Sequence, residues 1–198
     1  NAAQVEQLAL HDPLTGLPNR ALFNDRLSQA MEVARRLKHP VSVMLIDLNR
    51  FKEVNDTFGH HVGDLLLREV GLRLRGALAR GSDTVARLGG DEFAVLIPAA
   101  TTKMAENAAR KILHAFEDPV AFETRFLDME GSIGVATFPE HGEDQHVLMS
   151  HADAAMYHAK RNRLGFAIYE QRPDMEAEAD SRFSPACELR HDVEMDEL

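Results

Sequence analysis

The sequence predicts an α/β sandwich, a central mixed β-sheet flanked by helices. Three observations lead there. Apolar runs of strand length alternate with amphipathic segments of helix length. Val41 to Leu48 is a nearly continuous apolar run, the pattern of a strand covered on both faces. Gly89-Gly90 stands between two short apolar segments and signals a hairpin, so part of the sheet must be antiparallel.

The elements follow in order. Val5 and Leu8, three apart, mark residues 1–11 as the end of a helix arriving from upstream. Pro13, Gly16 and Pro18 break the chain, and Asn19 caps a helix reaching about Lys38 with Phe23, Leu27, Met31 and Ala34 on one side. After the apolar strand, Phe51, Val54 and Phe58 give a short helix, and Leu65 to Ala79 a long one. Thr84–Leu88 and Phe93–Ile97 are the hairpin strands, with Gly89-Gly90 as a type I′ turn. Lys103 to Phe116 is helical, Val120–Leu127 and Gly131–Phe138 are strands, Val147–Lys160 is a helix and Phe166–Tyr169 a final strand. Pro173–Ser184 has the polar, acidic composition of a linker, and Pro185 to Leu198 regains helical character.

Composition narrows the function. The 198 residues suffice for one domain with appendages. Net charge is −10, but ten acidic and three basic side chains fall in residues 170–198, which leaves a near-neutral body. A near-neutral body lacks the basic face that nucleic acid requires. It can still take one anionic small molecule if cations neutralise it. No apolar run approaches a membrane span, no secretory signal pattern is present, and the single Cys187 excludes a disulfide framework or multi-cysteine zinc site. The expectation is a cytoplasmic protein, tied to a membrane only through segments beyond this chain.

Acidic residues cluster at element ends. Asp47 follows the apolar strand, where open α/β sheets hold their ligands and a metal-binding carboxylate is useful. Asp91 and Glu92 follow the glycine turn, where adjacent carboxylates could hold Mg²⁺ against phosphates. Neighbouring strand residues point to opposite faces, so both reach one site only if the hairpin tip is bulged or strongly twisted. Lys52, Asn55 and Asp56 share a helix face: Asn55 suits a base edge and Lys52 a phosphate. Asp64 could accept from guanine or cap the helix that starts at Leu65. Taken singly, each reads at least as well as an ordinary polar end. Walker-type phosphate loops and GxGxxG, HExxH and GxSxG motifs are absent.

The combination is informative. Gly89-Gly90-Asp91-Glu92-Phe93 matches the signature of the GGDEF domains, the diguanylate cyclases. Residues 12–20 (Asp12-Pro13-Leu14-Thr15-Gly16-Leu17-Pro18-Asn19-Arg20), 46–52, 55–60, 63–64, 132–136 and 152–160 resemble the family's other motifs in the right order. The resemblance covers residues 12–170. It implies a fold related to class III nucleotide cyclases and polymerase palms, and condensation of two GTP into cyclic di-GMP with release of two pyrophosphates. By the family pattern Asp47, Asp91 and the carbonyl of Leu48 hold two Mg²⁺ (Mn²⁺ being an alternative), and Glu92 supports the metal or the attacking 3′-hydroxyl. Asn55 and Asp64 read guanine, Lys52 and Lys160 hold the β and γ phosphates, and Gly89 and Gly90 let the backbone approach the nucleotide. One site holds one GTP, so catalysis implies a homodimer.

Two departures stand out. Asn49 replaces a frequent aspartate, and Leu164 occupies the place of the family's phosphate-binding arginine, with Arg161 and Arg163 as neighbouring substitutes. The tail around Cys187–Arg190 and Glu194–Leu198 resembles the opening of EAL-type cyclic di-GMP phosphodiesterases, so residues 171–198 read as an acidic linker and the start of such a domain. That keeps a second reading open, a catalytically silent GTP-binding module controlling an adjacent phosphodiesterase. A generic cyclase acting on one nucleoside triphosphate is a third. Arg80 and Asp83 match the family's inhibitory RxxD motif and suit a guanine nucleotide, with Arg110 or Lys111 as candidate helpers. They should lie about 15–20 Å from the catalytic hairpin at strand rise.

Overall fold

The structure is a computed structural model that describes residues 1–78 and 80–182. The helical stretch expected from Pro185 lies outside the described residues. The elements are α1 (Ala2–Leu10), α2 (Arg20–Leu37), β1 (Val41–Leu48), α3 (Phe51–Phe58), α4 (His60–Ala77), β2 (Thr84–Gly89) and β3 (Glu92–Pro98). There follow α5 (Thr102–Phe116), β4 (Val120–Phe122), β5 (Arg125–Leu127), β6 (Gly131–Phe138), α6 (Gln145–Asn162), β7 (Phe166–Ile168) and α7 (Pro173–Arg182).

Five strands form one sheet in the order β2-β3-β1-β6-β7. Every neighbouring pair is antiparallel except β6 with β7, which makes the sheet mixed as expected. β1 is central, and its alternate residues serve two cores. Met44, Ile46 and Leu48 pack with α4 and α5, while Val41, Val43 and Leu45 pack with α2 and α6. This is why the run is apolar without alternation. Asn19, Thr101 and Asp144 cap α2, α5 and α6, each accepting from a backbone N–H three residues on. A Cβ at Gly134 would collide with the backbone of Ala152 and Met156, so α6 lies directly against β6 there.

Four expectations are corrected. α4 begins at His60, five residues before Leu65, so Asp64 is in its second turn and does not cap it. The segment Val120–Leu127 is two short strands folded on each other, β4 and β5, reversed at Glu123 with φ 51°. The Gly90-Asp91 pair is the two-residue hairpin loop, because Gly89 still pairs with Glu92. Finally, Pro173–Arg182 is helical despite its acidic composition: Met175 and Ala179 are buried against α6, and Glu178 pairs with Arg161 at 3.1 Å. Composition alone does not reveal two apolar residues at i, i+4.

Candidate active site

β1 carries Asp47 to the end of the sheet on the same face as Val41, Val43 and Leu45. The register places Asp47 opposite Glu92 of β3 on one side and Ser132 of β6 on the other. Directly opposed residues share a face, so Glu92 stands beside Asp47. Asp91 reaches the same place by a different route. The β2–β3 ladder slips between Arg87 and Gly89, leaving Leu88 as a bulge. A bulge adds twist and re-aims the residues beyond it. Asp91 therefore folds back on β1: its carbonyl accepts from the Leu48 N–H at 3.4 Å, and its carboxyl comes close enough to Asp47 to feel that charge. The bulge that the sequence demanded is present.

The tip is braced from behind. Arg87 donates to the Gly90 carbonyl from Nε at 3.0 Å and Nη2 at 2.7 Å, and its Nη1 donates to Asp12 Oδ1 at 2.9 Å. Asp12 Oδ2 in turn accepts from the Thr15 N–H and hydroxyl at 2.8 and 2.7 Å. The loop Asp12–Asn19 is thus a strut for the hairpin. Sequence reasoning assigned no role to Arg87 or Asp12. The available signal was a lone arginine one residue before an apolar position and a double glycine, too short a pattern to read without knowing where Asp12 lies.

Lys160, at the end of α6, sets its Nζ 2.6 Å from Asp47 Oδ2. Burial and the charge of Asp47 push the Asp91 carboxyl up to about 7 against the pull of Lys160. Two carboxylates so close and partly buried repel, and a cation relieves them. Among the described residues no three His, Cys, Asp or Glu side chains form a metal cluster. The arrangement suits Mg²⁺ nonetheless, which takes one or two carboxylates and fills its sphere with water and phosphate oxygens. Glu92 lies 3.8 Å from Arg20. Asn49 takes no place beside them, its Oδ1 accepting from the Ser132 hydroxyl at 2.9 Å.

Asn55, on α3, lies against Gly63 of α4, and its Oδ1 is buried without a hydrogen-bond partner. An unpaired buried acceptor costs about 1–3 kcal/mol, which a ligand donor would recover. Asp64 follows Gly63 and is half-buried, while Lys52 is exposed on α3. Beside Asp47 opens a cavity of about 820 Å³ lined by Asn49, Arg50, Phe116, Met129, Lys160 and Arg163, among others. Sequence reasoning did not foresee it, because it forms between α5, α6 and the loop before β6.

Arg80 and Asp83 sit in the turn between α4 and β2, with the Asp83 N–H donating to the Arg80 carbonyl at 3.1 Å. Asp83 Oδ1 is buried and unpaired, and burial raises its carboxyl pKa against the opposing charge of Arg80. The six residues of β2 put this turn roughly 20 Å from the hairpin tip. Arg110 gives no help there. It pairs with Glu106 at 2.8 Å and stacks over Phe166 of β7, at the opposite edge of the sheet. Among the described residues no helix is long and apolar enough to cross a membrane.

Known proteins resemble this chain over most of its length. A family model described as the diguanylate cyclase GGDEF domain matches residues 9–164. The chain is 45% identical over 193 residues to the bifunctional diguanylate cyclase/cyclic di-GMP phosphodiesterase MucR of Pseudomonas aeruginosa, covering 97% of this chain and 28% of that protein. It is 44% identical over 167 residues to the diguanylate cyclase TpbB of the same species, covering 83% of this chain and 38% of that one. The crystal structure of the TpbB GGDEF domain superposes with a TM-score of 0.77 at 42% identity, over 80% of this chain and 99% of that chain. The coiled coil and GGDEF domain of DgcB from Caulobacter crescentus, solved in complex with cyclic di-GMP, matches at a TM-score of 0.76 and 28% identity, over 85% of this chain and 88% of that chain. The chain therefore spans about a third of the length of these curated relatives.

Proposed function

The chain belongs to the GGDEF domain family of diguanylate cyclases, with its nucleotide-cyclase, palm-like fold, and from that premise we propose that it condenses two GTP into cyclic di-GMP and two pyrophosphates. The observation that carries the reading is the approach of Asp91 to the end of β1, its carbonyl accepting from the Leu48 N–H at 3.4 Å, with Lys160 2.6 Å from Asp47.

Asp47, Asp91 and the carbonyl of Leu48 would hold two Mg²⁺, with Mn²⁺ as a substitute. When bound, the metal neutralises the phosphates and lowers the pKa of the attacking 3′-hydroxyl. The chain's own residues do the rest. Asn55 and Asp64 orient guanine, the unpaired Oδ1 of Asn55 accepting from its amine or ring N–H. Lys52 and Lys160 would neutralise the β and γ phosphates, Lys160 standing ready beside Asp47 at 2.6 Å. Glu92 supports the metal or the hydroxyl from the adjacent register position. Gly90, with φ 49°, gives the tip a backbone that no side chain obstructs. Each domain holds one GTP, so the 3′-hydroxyl of one attacks the α-phosphorus of the other across a homodimer, and pyrophosphate leaves in line.

The product is read as an inhibitor at Arg80 and Asp83, whose buried unpaired Oδ1 offers an acceptor to a guanine edge. Residues 1–11 serve as the end of an upstream signalling helix, 12–170 as the cyclase domain and 171–198 as the connection to an EAL-type domain. The setting is the cytoplasm. Incubation of the purified chain with GTP and Mg²⁺, followed by chromatography, tests the reading: cyclic di-GMP is the expected product. One observation favours the silent GTP-binding module instead, the exposed Leu164 where the family carries a phosphate-binding arginine. GTP binding with no product at any protein concentration would select it.

A further inference from the structure

The loss of an arginine at Leu164 raises the question of what meets the far phosphates. Leu164 is 52% exposed and takes no part in the cavity beside Asp47. Its two arginine neighbours differ in what they touch. Arg161 is engaged on the α7 side: its Nη1 lies 3.1 Å from Glu178 and its guanidinium 5.8 Å from the Tyr157 ring. Arg163 lines the cavity together with Lys160, and as the left-handed C-cap of α6 it stands just past the helix end. Arg50 lines the same cavity. Among the described residues neither Arg50 nor Arg163 has an ion-pair partner. Arg50 is also the N-cap of α3, and no side chain caps that helix end. Its first-turn N–H groups remain available to an anion. Acidic residues line the cavity too: Glu117, Asp128 and Glu130, from the end of α5 and the loop before β6. Glu117 is occupied by His114 at 3.0 Å. Their charge disfavours a polyphosphate beside them and favours one beside Lys160, Arg163 and Arg50.

We propose that Arg163, with Arg50 lining the same cavity, binds the terminal phosphates of the nucleotide there and so replaces the guanidinium that Leu164 lacks. The assignment rests on the reading of the site as a GTP site and adds the residue that discriminates a triphosphate from a monophosphate. A guanidinium suits this role because its fork meets two phosphate oxygens at once.

The test is calorimetric titration of the full chain with GTP or GMP in Mg²⁺. Arg163 has φ 52°, so glycine removes the guanidinium without backbone strain. Arg163→Gly should weaken GTP by roughly 10- to 100-fold, the worth of one charge-assisted contact, and leave GMP within about twofold. Arg163→Lys should retain part of the loss, and Arg161→Ala should leave GTP unchanged. Unchanged GTP affinity in Arg163→Gly, equal losses for GTP and GMP, or a larger loss in Arg161→Ala would each overturn the assignment while the wild type still binds GTP. A wild type that binds no GTP would overturn the nucleotide reading and this assignment with it.

Discussion

Asp91 comes close to Asp47 at the hairpin tip, and burial together with the charge of Asp47 raises the Asp91 carboxyl to about 7. The fold accepts this cost at one spot, which is where a cation is useful. Asp91→Asn keeps the shape and removes one negative charge. It should abolish product formation, and in metal-free buffer at about pH 8 it should raise the melting temperature by a few degrees, since the repulsion it relieves is present in the folded state. Thermal unfolding in chelator together with the product assay reads both; a lower melting temperature would mean that the Asp91 carboxylate stabilises the tip. Asn55 makes the complementary case. Its Oδ1 is buried and unpaired, and on the proposed reading it accepts from a guanine donor that adenine lacks at the same edge. Asn55→Ala should weaken GTP by about 10-fold or more with little change for ATP. Titration with both nucleotides decides it, and equal losses would deny Asn55 a base-reading role.

Elements translate these side chains into positions. α6 brings Lys160 to Asp47 because Gly134 lets the helix lie directly on β6. Gly134→Ala must push α6 off the sheet, since backbone rather than a flexible side chain meets the new Cβ. A loss of about 1–3 kcal/mol or more in urea unfolding is expected, and an unchanged midpoint would show the contact to be soft. The loop before α6 adds a pH dependence. His141 Nδ1 accepts from the Thr137 N–H at 2.9 Å, so the ring must be neutral there. Burial lowers its pKa below the usual 6.5, against the pull of Glu140 and with the help of His151, while Tyr169 meets the ring edge-on at 5.9 Å. A histidine depressed in the fold contributes stability above its unfolded pKa and loses it as pH falls through 6.5. The urea midpoint should therefore drop between about pH 7.5 and pH 5.5, and His141→Asn, which keeps an acceptor but does not titrate, should flatten that drop. Equal slopes in both proteins would place the pH response elsewhere. The sequence made these elements largely legible, because the double-sided apolar run of β1 and the one-sided stripes of α2 and α5 are strong periodic signals. It misplaced the start of α4, since the glycine and histidines before Leu65 hide a helix that tertiary packing of Val62 completes. It placed the hairpin loop one residue early, since the bulge at Leu88 is set by pairing with β3 rather than by local turn chemistry. Asp47, Asp91 and Lys160 were legible as motif residues; the strut of Arg87 and Asp12 was not, because it joins positions 75 residues apart.

At the scale of the molecule the proposed reaction would make the candidate site half of a reaction centre. Asp47, Glu92, Asp91 and Lys160 lie at one end of one sheet, and on the proposed reading they hold one triphosphate. Joining two GTP requires each 3′-hydroxyl to meet the α-phosphorus held by another copy. The product then forms at a rate set by encounters between domains, not by the number of domains. Val5 and Leu8 of α1 are 66% and 73% exposed and lie three residues apart on one helical face, a suitable handle for bringing copies together. The specific activity of the isolated chain should thus rise with its concentration between about 0.1 and 10 µM. Fusing a dimeric coiled coil in register ahead of α1 should remove that dependence, because tethering supplies an effective concentration on the order of millimolar. Initial rates of cyclic di-GMP formation across a dilution series measure both. A specific activity that stays constant on dilution in the unfused chain, with product present, would mean that one domain completes the reaction and would refute the two-domain geometry. No product even from the tethered dimer, while GTP still binds, would instead assign this chain to the silent regulatory class.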